Sequence, residues 1–183
     1  MDMSVGAGVE SMTRVGMGAD AGSISPRIKD RFDVINQGLS AEFIAERYGF
    51  SRESMEAMAL ESHRRALDAT EKGHFNREIA PISAADPDGN EQLVSVDQGP
   101  RAGGTAEKLA KLRPAFKEDG RITAATSSQI TDGSSAVLMS SKEKAEELGV
   151  TPRARIVATS VVGTDPTLML LGPAPATRKA LKR

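Results

Sequence analysis

The chain has 183 residues, with 24 Lys and Arg against 25 Asp and Glu and a formal net charge of -1. That length suits one ordinary domain, or one and a half small ones, and the even charge lacks the basic excess of a nucleic-acid-binding protein. With 0 Cys and 2 His set far apart, disulfides and thiolate chemistry are excluded within the chain and no metal site is expected.

No apolar run approaches the ~18 residues of a membrane span. The start, Met1-Asp2-Met3-Ser4, lacks the basic-then-apolar pattern of a secretory signal. A soluble cytoplasmic protein, without membrane or nucleic-acid partners, is the expectation. Aromatic residues make up 3% and Trp is 0, so a core must be built from Ala, Val, Ile, Leu and Met.

In chain order, Ser4 to Val9 reads as a short strand of small residues, and Met12 to Ser25 as a Gly- and Met-rich loop. Ser40 suits a helix N-cap, Ala41 to Tyr48 has helical spacing, and Gly49 stops it. Ser51 caps a longer helix whose apolar face is Met55, Met58, Ala59, Ser62, His63, Ala66 and Leu67, ended by Gly73. Ile79 to Val96 is extended, with a turn at Asp86-Pro87-Asp88-Gly89-Asn90. Gln98 to Gly104 is loop, Thr105 caps a helix to about Leu112, and Pro114 closes it.

Ala136 to Ser140 reads as a strand. Ser140 with Glu143 predicts a capping box for a helix over Ser141 to Leu148, and Gly149 stops it. Ala154 to Val162 is an apolar run of strand length, and Ala176 to Arg183 starts a helix. The order is strand, mainly helical insert, strand, helix, strand, helix: an α/β chain. Strands near Val5, Val137 and Val157 are expected to lack partners, because a central strand needs neighbours on both sides.

One stretch stands apart. Arg121 to Leu138, RITAATSSQITDGSSAVL, strings small polar residues together and runs straight into a strand. Small hydroxyl residues and Gly133 let a backbone pass close to something else.

The strings GAGVESMTR, KLRPAF, SSQITDGSSAVL, ARIVATSVVG and GPAPATRKAL occur here in one order. Together they resemble the thiolase family, the acyl-CoA:acetyl-CoA C-acyltransferases, over essentially the whole chain. MALESHRRALDA is similar to the helix of that family's loop domain.

The resemblance implies an incomplete thiolase-like α/β fold. Residues 1–25 correspond to strand and loop from the N-terminal half, 26–120 to the coenzyme A-binding loop domain, 121–150 to the end of the N-terminal half, and 151–183 to the start of the C-terminal half. It implies acyl transfer that cleaves or forms 3-ketoacyl-CoA using acetyl-CoA and coenzyme A. It implies an intact form that is a homodimer or homotetramer. The family's nucleophilic Cys, its Gly-His-Pro His and its second Cys have no counterpart in this chain. No catalytic residue is therefore assigned, and the chain alone is expected to be inactive.

What the resemblance leaves is the coenzyme A side. Phe116, Ala124, Ser128 and Ile130 fall on positions that contact pantetheine or adenine, and Arg101 falls on an arginine near the nucleotide. Lys108 and Asn36-Gln37 depart from the common Ser and His-Met, which implies a subfamily with other acyl substrates.

Each residue also has a plain explanation. Ser128 could satisfy a loop backbone group, and Arg101 could be one more solvated charge. His63 reads as a packed helix residue, His74 as a helix-end residue, and Met12, Met17, Met55 and Met58 as core filler. Two other readings stay open: a non-catalytic thiolase-like module that binds acyl-CoA or a partner subunit, and an unrelated α/β binding domain.

Overall fold

The structure is a computed structural model and describes residues 2–86 and 88–182. The elements run β1 (Met3–Glu10), α1 (Pro26–Lys29), α2 (Gln37–Tyr48), α3 (Arg52–Glu71), β2 (Ile82–Ala85), β3 (Glu91–Val94), α4 (Ala106–Leu109), β4 (Gly133–Ser140), α5 (Lys142–Glu147) and α6 (Pro173–Ala180). Short 3-10 turns lie at Ala124–Thr126 and Met169–Leu171. The chain divides into two compact units, Met1–Gln37 with Ile130–Arg183, and Gly38–Gln129.

In the first unit, β1 and β4 pair antiparallel along their full length, from Met3 opposite Ser140 to Glu10 opposite Gly133. The expected lack of partners for the strands near Val5 and Val137 is corrected on one side only: Val5 faces Leu138 and Gly6 faces Val137, while the other edge of each strand has no neighbour among the described residues. The two strands supply each other's hydrogen bonds, yet the ribbon carries its apolar side chains in the open, as Val5, Val9, Val137 and Leu138 show. The run Ala154 to Val162 joins no ladder. Its apolar content suits a strand, but a strand exists only by pairing. What holds it is α6: Ser160 donates to the Ala176 carbonyl at 2.7 Å, and Lys179 Nζ to the Val161 carbonyl at 2.9 Å.

The cap of α5 is Ser141, whose Oγ accepts from the Lys144 amide at 3.2 Å. Ser140 cannot serve as expected, because it is the last residue of the ladder, paired with Met3. Just before β4, Asp132 ties the exit of β1 to the entry of its partner. It accepts from the Thr13 amide at 2.9 Å and the Ser11 hydroxyl at 3.3 Å.

The second unit is built on α2 and α3. Ser51 caps α3 as its type predicts, accepting from the Ser54 amide at 3.1 Å. Gly49 and Gly73, just past α2 and α3, have φ of 68° and 71°, the left-handed turn that a glycine makes without strain. The buried stripe of α3 is narrower than its spacing suggests. Met55, Ala59, His63, Ala66 and Leu67 are half-buried, while Met58 and Ser62 are exposed, as is Met17 in the other unit. Glu56 is buried instead, held by Arg52 at 2.7 Å. The same Arg52 guanidinium donates to the Leu109, Ala110 and Leu112 carbonyls at 2.9, 3.3 and 2.8 Å. A cation on the closing carbonyls of α4 is favoured by the helix dipole.

Ser40 does not cap α2. It lies inside the helix, fully buried, because α2 begins at Gln37. Packing carries the helix back a turn further than capping chemistry alone indicates. The residue that anchors α2 is Glu42, only 6% exposed. Its carboxylate accepts from the Arg121 amide at 2.9 Å to each oxygen, and from the Ile122 amide at 2.8 Å. Arg121 returns the contact, donating to the Phe50 and Ala45 carbonyls at 2.8 and 3.3 Å. β2 and β3 form a separate hairpin, Ile82 opposite Val94. Asp86 Oδ1 organises its turn by accepting from the Asp88 and Asn90 amides at 2.9 Å each; Pro87 of that predicted turn lies outside the described residues. Among the described residues no helix is long and apolar enough to cross a membrane.

Two outcomes are expected. Glu42→Ala strips two amides of a charged acceptor, at about 1–3 kcal/mol each. Urea unfolding should show a loss of about 3 kcal/mol; a loss under ~0.5 kcal/mol, the size of an ordinary surface change, contradicts the anchoring role. Hydrogen bonds from Thr13, side chain first and then backbone, and from Ser11 hold the Asp132 carboxyl below its usual range. A depressed carboxyl contributes its tie in full above the unfolded value of ~3.9 and loses it as pH falls through the folded value. The Thr13 amide resonance should therefore titrate only below pH ~3.9, and Asp132→Asn should abolish that titration.

Candidate coenzyme A surface

The candidate residues divide between the two units. Arg101, Phe116, Ala124 and Ser128 belong to Gly38–Gln129, and Ile130 opens the second segment of the other unit. Ile130 is exposed. Within the Gly38–Gln129 unit, the segment from Pro114 to Phe116 runs antiparallel to Ile122 and Thr123. Pro114 bridges Thr123, and the Ala115 amide donates to the Ile122 carbonyl at 2.8 Å. This pairing, resting on the Glu42 anchor beneath Arg121 and Ile122, brings Phe116 and Ala124 onto adjacent stretches of backbone.

Thr123 is fully buried and organises the turn that follows. Its hydroxyl accepts from the Ala125 amide at 3.2 Å, while Thr126 Oγ1 accepts from the Thr123 amide at 3.0 Å. The Thr126 and Ser127 hydroxyls both donate to the Thr123 carbonyl, at 3.2 and 2.9 Å. This reciprocal capping spends the hydroxyls of Thr123, Thr126 and Ser127 on backbone groups. Ser128 is different. It is exposed, and among the described residues its hydroxyl has no hydrogen-bond partner. The plain explanation of Ser128, a hydroxyl that satisfies its own loop, belongs to its neighbours.

Arg101 lies on the loop before α4. Its backbone amide donates to Nδ1 of His63 at 3.2 Å, so α3 holds the loop from below. The Arg101 side chain is exposed and makes no ion pair among the described residues. A little further on, Lys108 Nζ donates to the Gly103 carbonyl at 2.7 Å, and Thr105 caps α4 by accepting from the Lys108 amide at 3.3 Å. Helix α3 also packs against both α4 and the 124–126 turn. One helix thus supports the Arg101 loop and the segment that leads to Ser128.

Three residues escaped the sequence reading: Glu42, Gly38 and His63 as an acceptor. The signal for Glu42 was its spacing, a carboxylate in the helical stripe with Gly38 and Ala45 where an apolar residue is usual. Gly38 carried no turn signal. The Phe116 ring lies so close to its backbone that a Cβ at Gly38 would fall within the ring. Chemically, these residues offer an exposed guanidinium for anionic groups, a partly open aromatic ring and an exposed hydroxyl. Among the described residues no group of three or more His, Cys, Asp or Glu stands ready to hold a metal ion.

Residues 1–143 match the thiolase N-terminal domain family. The chain is 46% identical, over its full length, to a 3-ketoacyl-CoA thiolase of Marinomonas sp. (strain MWYL1), of which it covers 47%. It is 44% identical over 84% of its length to an acetyl-CoA acetyltransferase of Pseudomonas aeruginosa, covering 39% of that protein. Among solved structures, human mitochondrial 3-ketoacyl-CoA thiolase superposes on 99% of the chain with a TM-score of 0.83 and 34% identity, the match covering 49% of that protein. The Bacillus anthracis acetyl-CoA acetyltransferase gives a TM-score of 0.78 at 42% identity, with 99% and 49% covered. The chain spans about half the length of these relatives, its strands and helices are those of the thiolase fold, and it belongs to the thiolase family.

Proposed function

We propose that this chain supplies the coenzyme A-holding surface of a thiolase, an acyltransferase that cleaves or forms 3-ketoacyl-CoA with acetyl-CoA and coenzyme A. The observation that carries this is the contrast at Thr123 to Ser128. Three hydroxyls are consumed by the backbone, and the fourth, Ser128, four residues past Ala124, is left exposed. Pantetheine is a narrow chain with two amides, and it suits backbone groups plus one hydroxyl. Arg101 meets the phosphates, while Ile130, which belongs to the other unit, is carried by the family resemblance alone. Residues 26–120 supply the loop domain of the fold, and the intact assembly is a homodimer or homotetramer in the cytoplasm.

The chemistry sets the limit of this half. Carbon–carbon cleavage next to a thioester needs a nucleophile to carry the acyl group. It also needs a base or acid for the α-proton. With 0 Cys, this chain holds no thiolate, and a serine hydroxyl is not nucleophilic without an adjacent base. The relatives named as thiolases and acetyltransferases support the reaction class for the intact protein.

The purified chain should show no thiolytic cleavage of acetoacetyl-CoA; turnover above buffer, in a sample free of other thiolases, contradicts the assignment. Calorimetric titration with coenzyme A should give a Kd no tighter than ~100 μM, because ordering a half-built surface opposes binding. Arg101→Ala should weaken binding and flatten its dependence on salt, as expected for a phosphate partner. Ser128→Val should cost roughly 1 kcal/mol. Binding indifferent to both substitutions would remove these residues from the surface.

A further inference from the structure

Gly38 stands in the first turn of α2, buried, with none of the positive φ that compels glycine elsewhere in the chain. A helical position of this kind favours alanine by intrinsic propensity. What excludes a side chain is Phe116: its Cγ and both Cδ atoms occupy the space that a Cβ would take. The ring therefore rests face-on against bare backbone. The Phe116 residue still has 41% of its surface open, so the ring is supported on one side and accessible on another.

The helix has no freedom to retreat from a larger residue. Glu42, one turn along from Gly38, is bonded to the Arg121 and Ile122 amides, and Ala115 is fixed to the Ile122 carbonyl. Backbone is thus held on both sides of the contact. An added methyl at Gly38 has to displace the ring, because the rotamer is the one coordinate left to move. We propose that Gly38 is a positioning residue for coenzyme A: it sets the rotamer and height of the Phe116 ring, and through it the surface that receives pantetheine. This rests on Phe116 being a coenzyme A contact, and the experiment separates the two claims.

The experiment is an NMR titration with coenzyme A of the chain, of Gly38→Ala, of Phe116→Ala and of the double variant. Gly38→Ala should raise Kd about fivefold, a coupling within the range for residues in contact. It should raise it no further in the Phe116→Ala background. Without ligand, the Gly38 Hα resonances should lie upfield under the ring and lose that displacement in Phe116→Ala. An equal penalty from Gly38→Ala in both backgrounds, or no penalty in either, overturns the proposal. If Gly38→Ala alone does not fold, recovery in the double variant supports the contact, and an equally unfolded double variant overturns it. If Phe116→Ala leaves Kd unchanged while the Hα displacement is present, the coenzyme A reading of Phe116 fails and the positioning role falls with it, although the packing stands.

Discussion

A single buried carboxylate organises the Gly38–Gln129 unit. Glu42 leaves α2 and accepts from two consecutive amides, of Arg121 and Ile122, some eighty residues further along. An ionised oxygen inside protein is costly unless several donors meet it, and these amides would otherwise be unsatisfied. The exchange is mutual, since the Arg121 guanidinium donates to the Ala45 carbonyl in the last turn of the same helix and to the Phe50 carbonyl just beyond it. Once this segment is fixed, Pro114 to Phe116 pairs against it, Thr123 begins its capped turn, and Ser128 emerges with its hydroxyl unspent. Residues that would touch a ligand are placed by groups that do not.

Support from beneath is the second theme. Aromatic residues are few, and the buried apolar side chains among the described residues are Ala45, Ile122, Ala145 and Leu168. Polar ties take a larger share of the work. Arg52 gathers Glu56 and three carbonyls that close α4, and His63 holds the Arg101 loop. In the other unit, the β1–β4 ribbon and the Ala154 to Val162 run expose valine, isoleucine and leucine, with Val157 78% open. Apolar strand surface of that kind is covered in a stable assembly and associates when it is not.

Much of this was legible in the residues. Ser51, Thr105 and the Asp86 turn follow local rules, because each depends on partners two to four positions away. The five strings that resemble thiolases gave the fold class, since their order carries information that no single one does. The failures have a common cause. Ser40 looked like a cap and proved to be buried helix; Ser140 looked like a cap and was claimed by Met3 across the ladder; Ala154 to Val162 had the composition of a strand and no neighbour to pair with. In each case the surrounding structure, not the local preference, decided the outcome. Gly38 was invisible for the same reason, and the spacing that marks Glu42 does not name its partner, as their meaning lies in Phe116 and Ile122. The structure separates Ser128, which is exposed, from the Thr123, Thr126 and Ser127 hydroxyls that finish the turn.

The most direct measurement is of intermolecular nuclear Overhauser effects between coenzyme A and the isotopically labelled chain. Pantetheine protons should show contacts to the Phe116 ring and to the Ala124 and Ser128 protons, with ribose or adenine protons nearer to Arg101. Pantetheine contacts confined to the exposed β1–β4 ribbon, or to α6, would contradict a coenzyme A surface organised around Glu42.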